Sequence, residues 1–387
     1  MPEVHPEYDF IIAGAGCAGL SLAYRLSFSP LFSGKKLLLI DRDKKDLNDR
    51  TWCFWEKQTG PFESIVHRKW EFLDFYSTAY HKPLHISPYH YKMIRGIDFY
   101  NLTKSRLEQL PQVTWMTGEI NNITGGTEGA SVTVDGLVIR GKWVFSSLLQ
   151  PDGNQKNYHY LLQHFKGWVI ESPKPVFDPD KAILMDFRVP QQGDTRFCYV
   201  LPLDERRALI EYTLFSPTLL PDKEYDEVLE DYIKKYLNIT DYQVLEREFG
   251  VIPMTDMRFP VDTGNHIIHI GTSGGNTKAS TGYTFVRIQR QVSQIIRQLE
   301  QTGKPIPLPA PSSLKFRWID RIFLNVLARQ RYPADHIFTI FFKKNEPAAV
   351  LDFLDEQTSI RQDLKVIITL PVLPFLKAFL EELTIHK

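Results

Sequence analysis

The chain of 387 residues exceeds one ordinary domain, and its 46 basic and 46 acidic side chains cancel, which removes bulk attraction to nucleic acid or to an anionic membrane. Its three cysteines, Cys17, Cys53 and Cys198, lack CxxC spacing, so they give neither a disulfide framework nor a zinc site and fit a reducing cytoplasm. Phenylalanine (25) and tyrosine (17) lift the aromatic share to 13%, which suits large cores or ligand pockets.

The N-terminus, MPEVHPEYDFIIAGAG, has no basic region followed by an apolar stretch, so no signal peptide is expected. YDFIIAGAGCAGLSLAYRLS then reads as strand, glycine-rich turn and helix, and KKLLLIDRD as a second buried strand. Residues 9–43 thus form a βαβ unit in which Gly14, Gly16 and Gly19 have dinucleotide-fingerprint spacing. Gly14 permits the tight turn, Gly16 the approach of backbone to a pyrophosphate, and Gly19 close packing of helix on strand. The helix N-terminus offers N–H groups to the pyrophosphate, and Asp41 stands where it accepts hydrogen bonds from a ribose.

NDRTWCFWE follows at once. Its alternation sets Trp52, Phe54 and Glu56 on one face and Cys53 and Trp55 on the other, without saying which looks into a pocket. Arg50, just after the ribose-binding strand, is a candidate cofactor contact or an exposed partner of Asp49. Residues 90–110 read as helical after Gly96, and VTWMTGEINNITGGTEGASVTVDGLVIRGKWVFSS as an antiparallel meander. AILMDFRVPQ, TRFCYVLPL, RALIEYTLFS and QVLEREFGVIPM predict a second, antiparallel sheet crossed by the charged helix DKEYDEVLEDYIKKYLN.

In HIIHIGTSGGNTKASTGYTFVRIQRQVSQIIRQLE, a strand ending at Gly271 leads through Thr272, Gly274, Gly275 and Lys278 into a long amphipathic helix. A meander interrupting the parallel sheet, followed by this second glycine-rich segment, points to FAD. Flavoproteins of the hydroxylase and reductase type usually carry Asp after the first glycine, where this chain has Thr272. TGKPIPLPAPSS is a proline-rich linker, and residues 316–385 read as helices.

The expected fold class is α/β: a Rossmann-like FAD-binding domain (1–60, 95–155, 260–305), an antiparallel-sheet substrate domain (61–94, 156–259) and a C-terminal helical region (306–387). The histidines lack metal spacing, so no metal is expected. No apolar run reaches the length of a membrane span; HIFTIFF (336–342) and VIITLPVLPFLKAFL, bordered by Lys343, Lys344 and Lys377, are either membrane-surface segments or packed helices.

NDRTWCFWE, MDFRV, ALIEYT, EFGVIPMT, GTSGGNTKASTGYTF and RWIDRIFLNVL together resemble the bacterial lycopene β-cyclases, over nearly the whole chain. The resemblance implies a fold like FAD-dependent hydroxylases and geranylgeranyl reductases, a carotenoid substrate taken from the membrane, and a peripheral place on the inner face of the cell membrane. It implies cyclisation of the ψ-ends of lycopene through γ-carotene to β-carotene. That reaction is non-redox overall but needs reduced FAD, with NADPH as electron source. A prenyl reductase or hydroxylase of the same fold is the alternative, and steady NADPH oxidation would mark it.

Cyclisation demands protonation of an alkene, so a carboxylic acid of raised pKa in a dry pocket suits it. Glu211 leads, because alternation in RALIEYTLF groups it with Leu209 and Thr213, and LIEYT resembles the FLEET segment of the plant cyclases with Tyr212 in place of the second acid. Glu248, in EREFGVIPM, and Glu56 are the further candidates. Trp52 and Trp55 are candidates for an aromatic wall.

Overall fold

The computed structural model describes residues 7–149, 158–260, 264–306 and 308–385. The N-terminal residues 1–6, on which part of the leader reading falls, and Pro307 of the linker lie outside the described residues.

The first sheet begins with strand Tyr8–Ala13, whose inner residues Ile11, Ile12 and Ala13 are fully buried. It pairs in parallel with Leu37–Asp41 on one side and Leu137–Ser146 on the other, and Ile267–His269 extends the far side in parallel. Such a run needs helices on its faces. Cys17–Leu26 and Phe285–Thr302 cover one face through Leu20, Leu22, Ile288 and Val292. The predicted meander is present as Ile120–Gly125, Ala130–Val134 and Leu137–Ser146. VTWMT differs from expectation: Val113–Thr117 pairs in parallel with Leu37–Asp41 at the sheet edge, since its aromatic and apolar residues pack on the nucleotide half.

The second sheet has seven strands in the order Gln243–Thr255, Tyr160–Glu171, Arg207–Ser216, Thr195–Pro202, Lys181–Asp186, Phe72–Ser77 and Tyr80–His85. All pairs are antiparallel except Lys181–Asp186 with Phe72–Ser77. The charged helix Asp222–Tyr236 buries Tyr225, Leu229, Tyr232 and Ile233 against one face, where Trp168, Val200 and Ile210 await it. The opposite face carries Leu209, Tyr199 and Phe197 into a core shared with Phe316, Phe338, Phe341 and Phe353 of the C-terminal helices.

Between these bodies lies a small antiparallel sheet of Thr51–Glu56, His90–Arg95 and Arg68–Trp70. Thr51–Glu56 serves two cores at once. Phe54 stacks on Phe285 at 4.4 Å within the nucleotide half, whereas Trp55 packs on Tyr283 at 4.1 Å in the core of the large sheet.

The C-terminal region consists of helices Leu314–Ala328, Ala334–Lys344, Pro347–Leu354, Ile360–Ile367 and Val372–Ile385. HIFTIFF is a packed segment: Ile337, Phe338, Phe341 and Phe342 are buried, and Phe342 lies 4.8 Å from Phe75 of the large sheet. The last two helices differ. They leave Ile360, Leu364, Ile368, Val372, Leu373, Leu376, Leu380 and Leu383 exposed. No helix among the described residues is long and apolar enough to cross a membrane.

Candidate active site

A row of directly paired residues crosses the large sheet: Glu248, Gly167, Glu211 and Tyr199, one from each of four neighbouring strands. Paired residues share a face, so all four look toward the C-terminal helices and the small sheet. Gly167, in the strand between the two glutamates, makes their meeting possible. A Cβ there would stand 3.0 Å from Glu248 Cγ and 3.2 Å from Glu248 Oε1. Without it, the two carboxyl groups close over bare backbone.

Two threonines orient the pair. Thr213, next on the Glu211 face, donates to Glu211 Oε1 at 2.8 Å, and Thr51 of the small sheet donates to Glu248 Oε2 at 2.7 Å. Among the described residues Glu248 Oε1 has no partner besides the neighbouring Glu211, and this is the place a proton held by Glu211 would fill. Burial, and then the neighbouring Glu248, push Glu211 up to about 8; burial also raises Glu248, against the Thr51 hydrogen bond. Two carboxyls so close cannot both ionise cheaply, so the pair holds a proton at neutral pH.

The walls are aromatic. Tyr91 and Tyr283 share a hydrogen bond of 3.1 Å, and Tyr283 also meets Tyr199. Burial holds the hydroxyls of Tyr91, Tyr199 and Tyr283 well above their ordinary values, so these rings stay neutral. Cys53 joins them as a thiol, raised first by burial and then by Glu211 and Glu248.

The face of NDRTWCFWE turned to this site is therefore Thr51, Cys53 and Trp55. Trp52 instead packs at 5.0 Å from Phe99 in the nucleotide half. Glu56, expected beside the acids, lies on the opposite face with Trp52 and Phe54, held 2.8 Å from Lys92, which also pairs with Glu63. The alternation that brings Thr51 to Glu248 necessarily turns Glu56 away.

The two glycine loops meet in front of the small sheet. Gly14 has φ +101°, and a Cβ there would collide with Ser147 Oγ at 2.1 Å. A Cβ on Gly19 would lie 2.0 Å from the Gly14 carbonyl oxygen, so helix and turn touch there. Gly16 is the opposite case: among the described residues nothing lies within 4 Å of its Cβ position and no side chain caps the helix it begins. This open, uncapped N-terminus fits a dinucleotide pyrophosphate. Asp41 accepts from the Ala15 N–H at 2.6 Å and pairs with the buried Lys45 at 3.3 Å, so its carboxylate braces the loop as well as edging it.

In the second loop, Gly271–Gly274 form one short turn, and a Cβ on Gly271 would be 2.8 Å from that of Ala18 in the first helix. Thr272 Oγ1 lies 2.9 Å from Thr277 Oγ1, while Gly275 takes φ +73° at the end of the turn. Lys278 points elsewhere: its buried ammonium bonds Asp320 at 2.8 Å and Glu356 at 2.9 Å, which ties the loop to the helical region. Arg50 is exposed and lies 3.4 Å from Asp49, yet its charge reaches both Cys17 at the first helix and Glu248. Its charge is thus felt both at the first glycine loop and at the acid pair.

Sequence reading missed Gly167, Thr51, Tyr91, Tyr199 and Tyr283 as parts of the site. The isolated glycine in HFKGWVIE was the available signal, since a strand-interior glycine marks a close approach. Among the described residues, no group of three or more His, Cys, Asp or Glu is arranged to hold a metal.

The model of the lycopene cyclase protein family matches residues 9–380. A lycopene β-cyclase of Pantoea ananas is 23% identical over 99% of this chain and its own full length. A chloroplastic neoxanthin synthase of Solanum tuberosum is 27% identical over 73% of the chain, and the match spans 58% of that protein's length. Among solved structures, a geranylgeranyl bacteriochlorophyll reductase-like protein from Thermoplasma acidophilum superimposes with a TM-score of 0.57 at 14% identity, covering 97% of this chain and 96% of its own. A halogenase solved with FAD gives 0.55 at 11% identity over 90% and 79%. These likenesses bear out the FAD-binding fold class.

Proposed function

The chain belongs to the lycopene cyclase family, and on that premise we propose that it is a lycopene β-cyclase that closes the ψ-ends of lycopene into β-rings by way of γ-carotene to β-carotene. The observation carrying this reading is the half-buried Glu211 and Glu248 pair over Gly167, walled by neutral tyrosines.

The proposed chemistry asks one proton to leave and return. Glu211 donates to C2 of the terminal C1=C2 bond, and C5=C6 attacks the cation at C1. Ring closure brings C6 next to C1, so its proton lies within reach of the same carboxyl pair. Glu248, momentarily facing a second carboxylate, is a strong acceptor because two negative charges at this spacing repel. Its protonation restores the pair with no net change in atoms or electrons. The rings of Trp55, Tyr199 and Tyr283 present π-faces to the developing tertiary cation, worth roughly 0.5 to 2 kcal/mol each, and limit quenching by water.

The loops around Gly14, Gly16, Gly19, Gly271 and Thr272 are proposed to hold FAD, with Arg50 near its phosphates or ribityl chain. When bound and reduced, FAD supplies negative charge beside the site. NADPH is the proposed source of its electrons. The exposed apolar face of the last two helices, with Lys365 and Lys377 on them, supports a peripheral seat on the inner face of the cell membrane.

Expression in a lycopene-accumulating bacterium tests the reading directly. Wild type is expected to convert lycopene to β-carotene without stoichiometric NADPH consumption, and Glu211→Gln to leave lycopene unchanged while retaining flavin absorbance. Steady NADPH oxidation coupled to a reduced or oxygenated product would replace the cyclase reading with the reductase or hydroxylase alternative.

A further inference from the structure

A cavity of about 360 Å³ lies within the C-terminal helices. Phe316, Phe323, Phe338, Phe341 and Phe353 line its inner wall. Ile368, Val372, Leu376 and Phe379 line its outer part, and these same residues are 71%, 66%, 46% and 40% exposed. The cavity therefore opens on the apolar face of the last two helices.

Its inner end is formed by Ser280, Thr281 and Lys278 of the second loop. Two residues beyond Thr281, Tyr283 bonds Tyr91 and packs on Trp55 at the acid pair. Lys278 and Leu354 line both this cavity and a small cleft bounded by Trp55 and Tyr283, the aromatic pair that packs beside the acid site. Lys278 is already matched by Asp320 and Glu356, which leaves no free cation among the described residues lining the cavity to receive a fatty-acid carboxylate. The wall suits an uncharged hydrocarbon.

Resting on the cyclase reading, we propose that this cavity is the passage by which the linear polyene moves end-first from the bilayer to Glu211 and Glu248, its far end remaining at the mouth. Tyr283 and Trp55 then stand at the point where the chain end enters the reaction chamber.

Total carotenoid, lycopene plus cyclised products, is measured per bound flavin in holoenzyme purified from lycopene-accumulating cells. It is measured for wild type and Glu211→Gln, each with and without Ile319→Trp in the cavity or Val372→Trp at its mouth. The expected result is a drop of about tenfold in carotenoid per flavin for both tryptophan variants, with flavin content unchanged. Val372 is exposed, so its variant keeps the test valid if Ile319→Trp fails to fold. Unchanged carotenoid per flavin in Val372→Trp, no carotenoid in wild type, or fatty acid as the extracted ligand would each overturn the passage. Cyclised product from Glu211→Gln would instead overturn the catalytic reading and leave the passage standing on its own ratio.

Discussion

At the scale of single residues, the site depends on a proton that folding itself retains. Glu211 ionises near 4.5 in the unfolded chain and near 8 in the folded one, so the folded state binds the extra proton between these values. Its contribution to stability is fully present below the unfolded value and is lost as pH rises through the folded value. Thermal melting of wild type is thus expected to fall from pH 5 to pH 8, and Glu211→Gln to flatten that fall; parallel curves for the two proteins would contradict the assignment. The same sign applies to the rate: cyclisation should decline above about pH 8 as the pair loses its proton. Alternation in RALIEYTLF correctly grouped Glu211 with Thr213, because that contact is local. Glu248 was the harder partner to choose over Glu56, since only strand pairing decides which carboxyl stands across Gly167.

At the scale of elements, the first turn and helix separate two duties that glycine spacing alone leaves merged. Gly19 is packed against the Gly14 carbonyl, whereas Gly16 borders open space. Gly19→Ala should therefore lower the melting temperature of the apoprotein, by an amount equivalent to about 1–3 kcal/mol for an overpacked contact. Gly16→Val should leave that temperature nearly unchanged and abolish flavin absorbance. Equal effects of both variants on apoprotein melting would show that the turn is read wrongly. This element was legible because its strand, glycines, helix and acid are consecutive. The strand Tyr160–Glu171 was not predicted, since Lys166 and Gly167 interrupt its apolar run although both are buried in the fold. HIFTIFF gave too short an apolar run to separate a packed helix from a membrane-facing one. Burial of Phe338 and Phe341 settles its packing.

At the scale of the whole molecule, the C-terminal helices meet the protein on one side and leave a broad apolar face on the other. Leu373 and Leu380, at 78% and 53% exposure, project from that face without supporting the core. Glu substitutions at both should reduce co-sedimentation with phospholipid vesicles several-fold while sparing flavin content and melting temperature; undiminished sedimentation would remove this face as the contact. The strand Thr51–Glu56 binds the whole together, with Phe54 facing the nucleotide half and Trp55 the acid chamber. A consequence concerns which lengths this segment tolerates. One residue inserted ahead of Thr51, if the strand positions paired with His90–Arg95 were kept, would exchange the two faces, offering Trp52 and Phe54 to the chamber and Thr51 to the nucleotide core. An insertion of two residues would preserve the parity and displace each side chain by one pleat. Length changes here are thus constrained in steps of two, so the loop before Thr51 should admit even insertions more readily than odd ones.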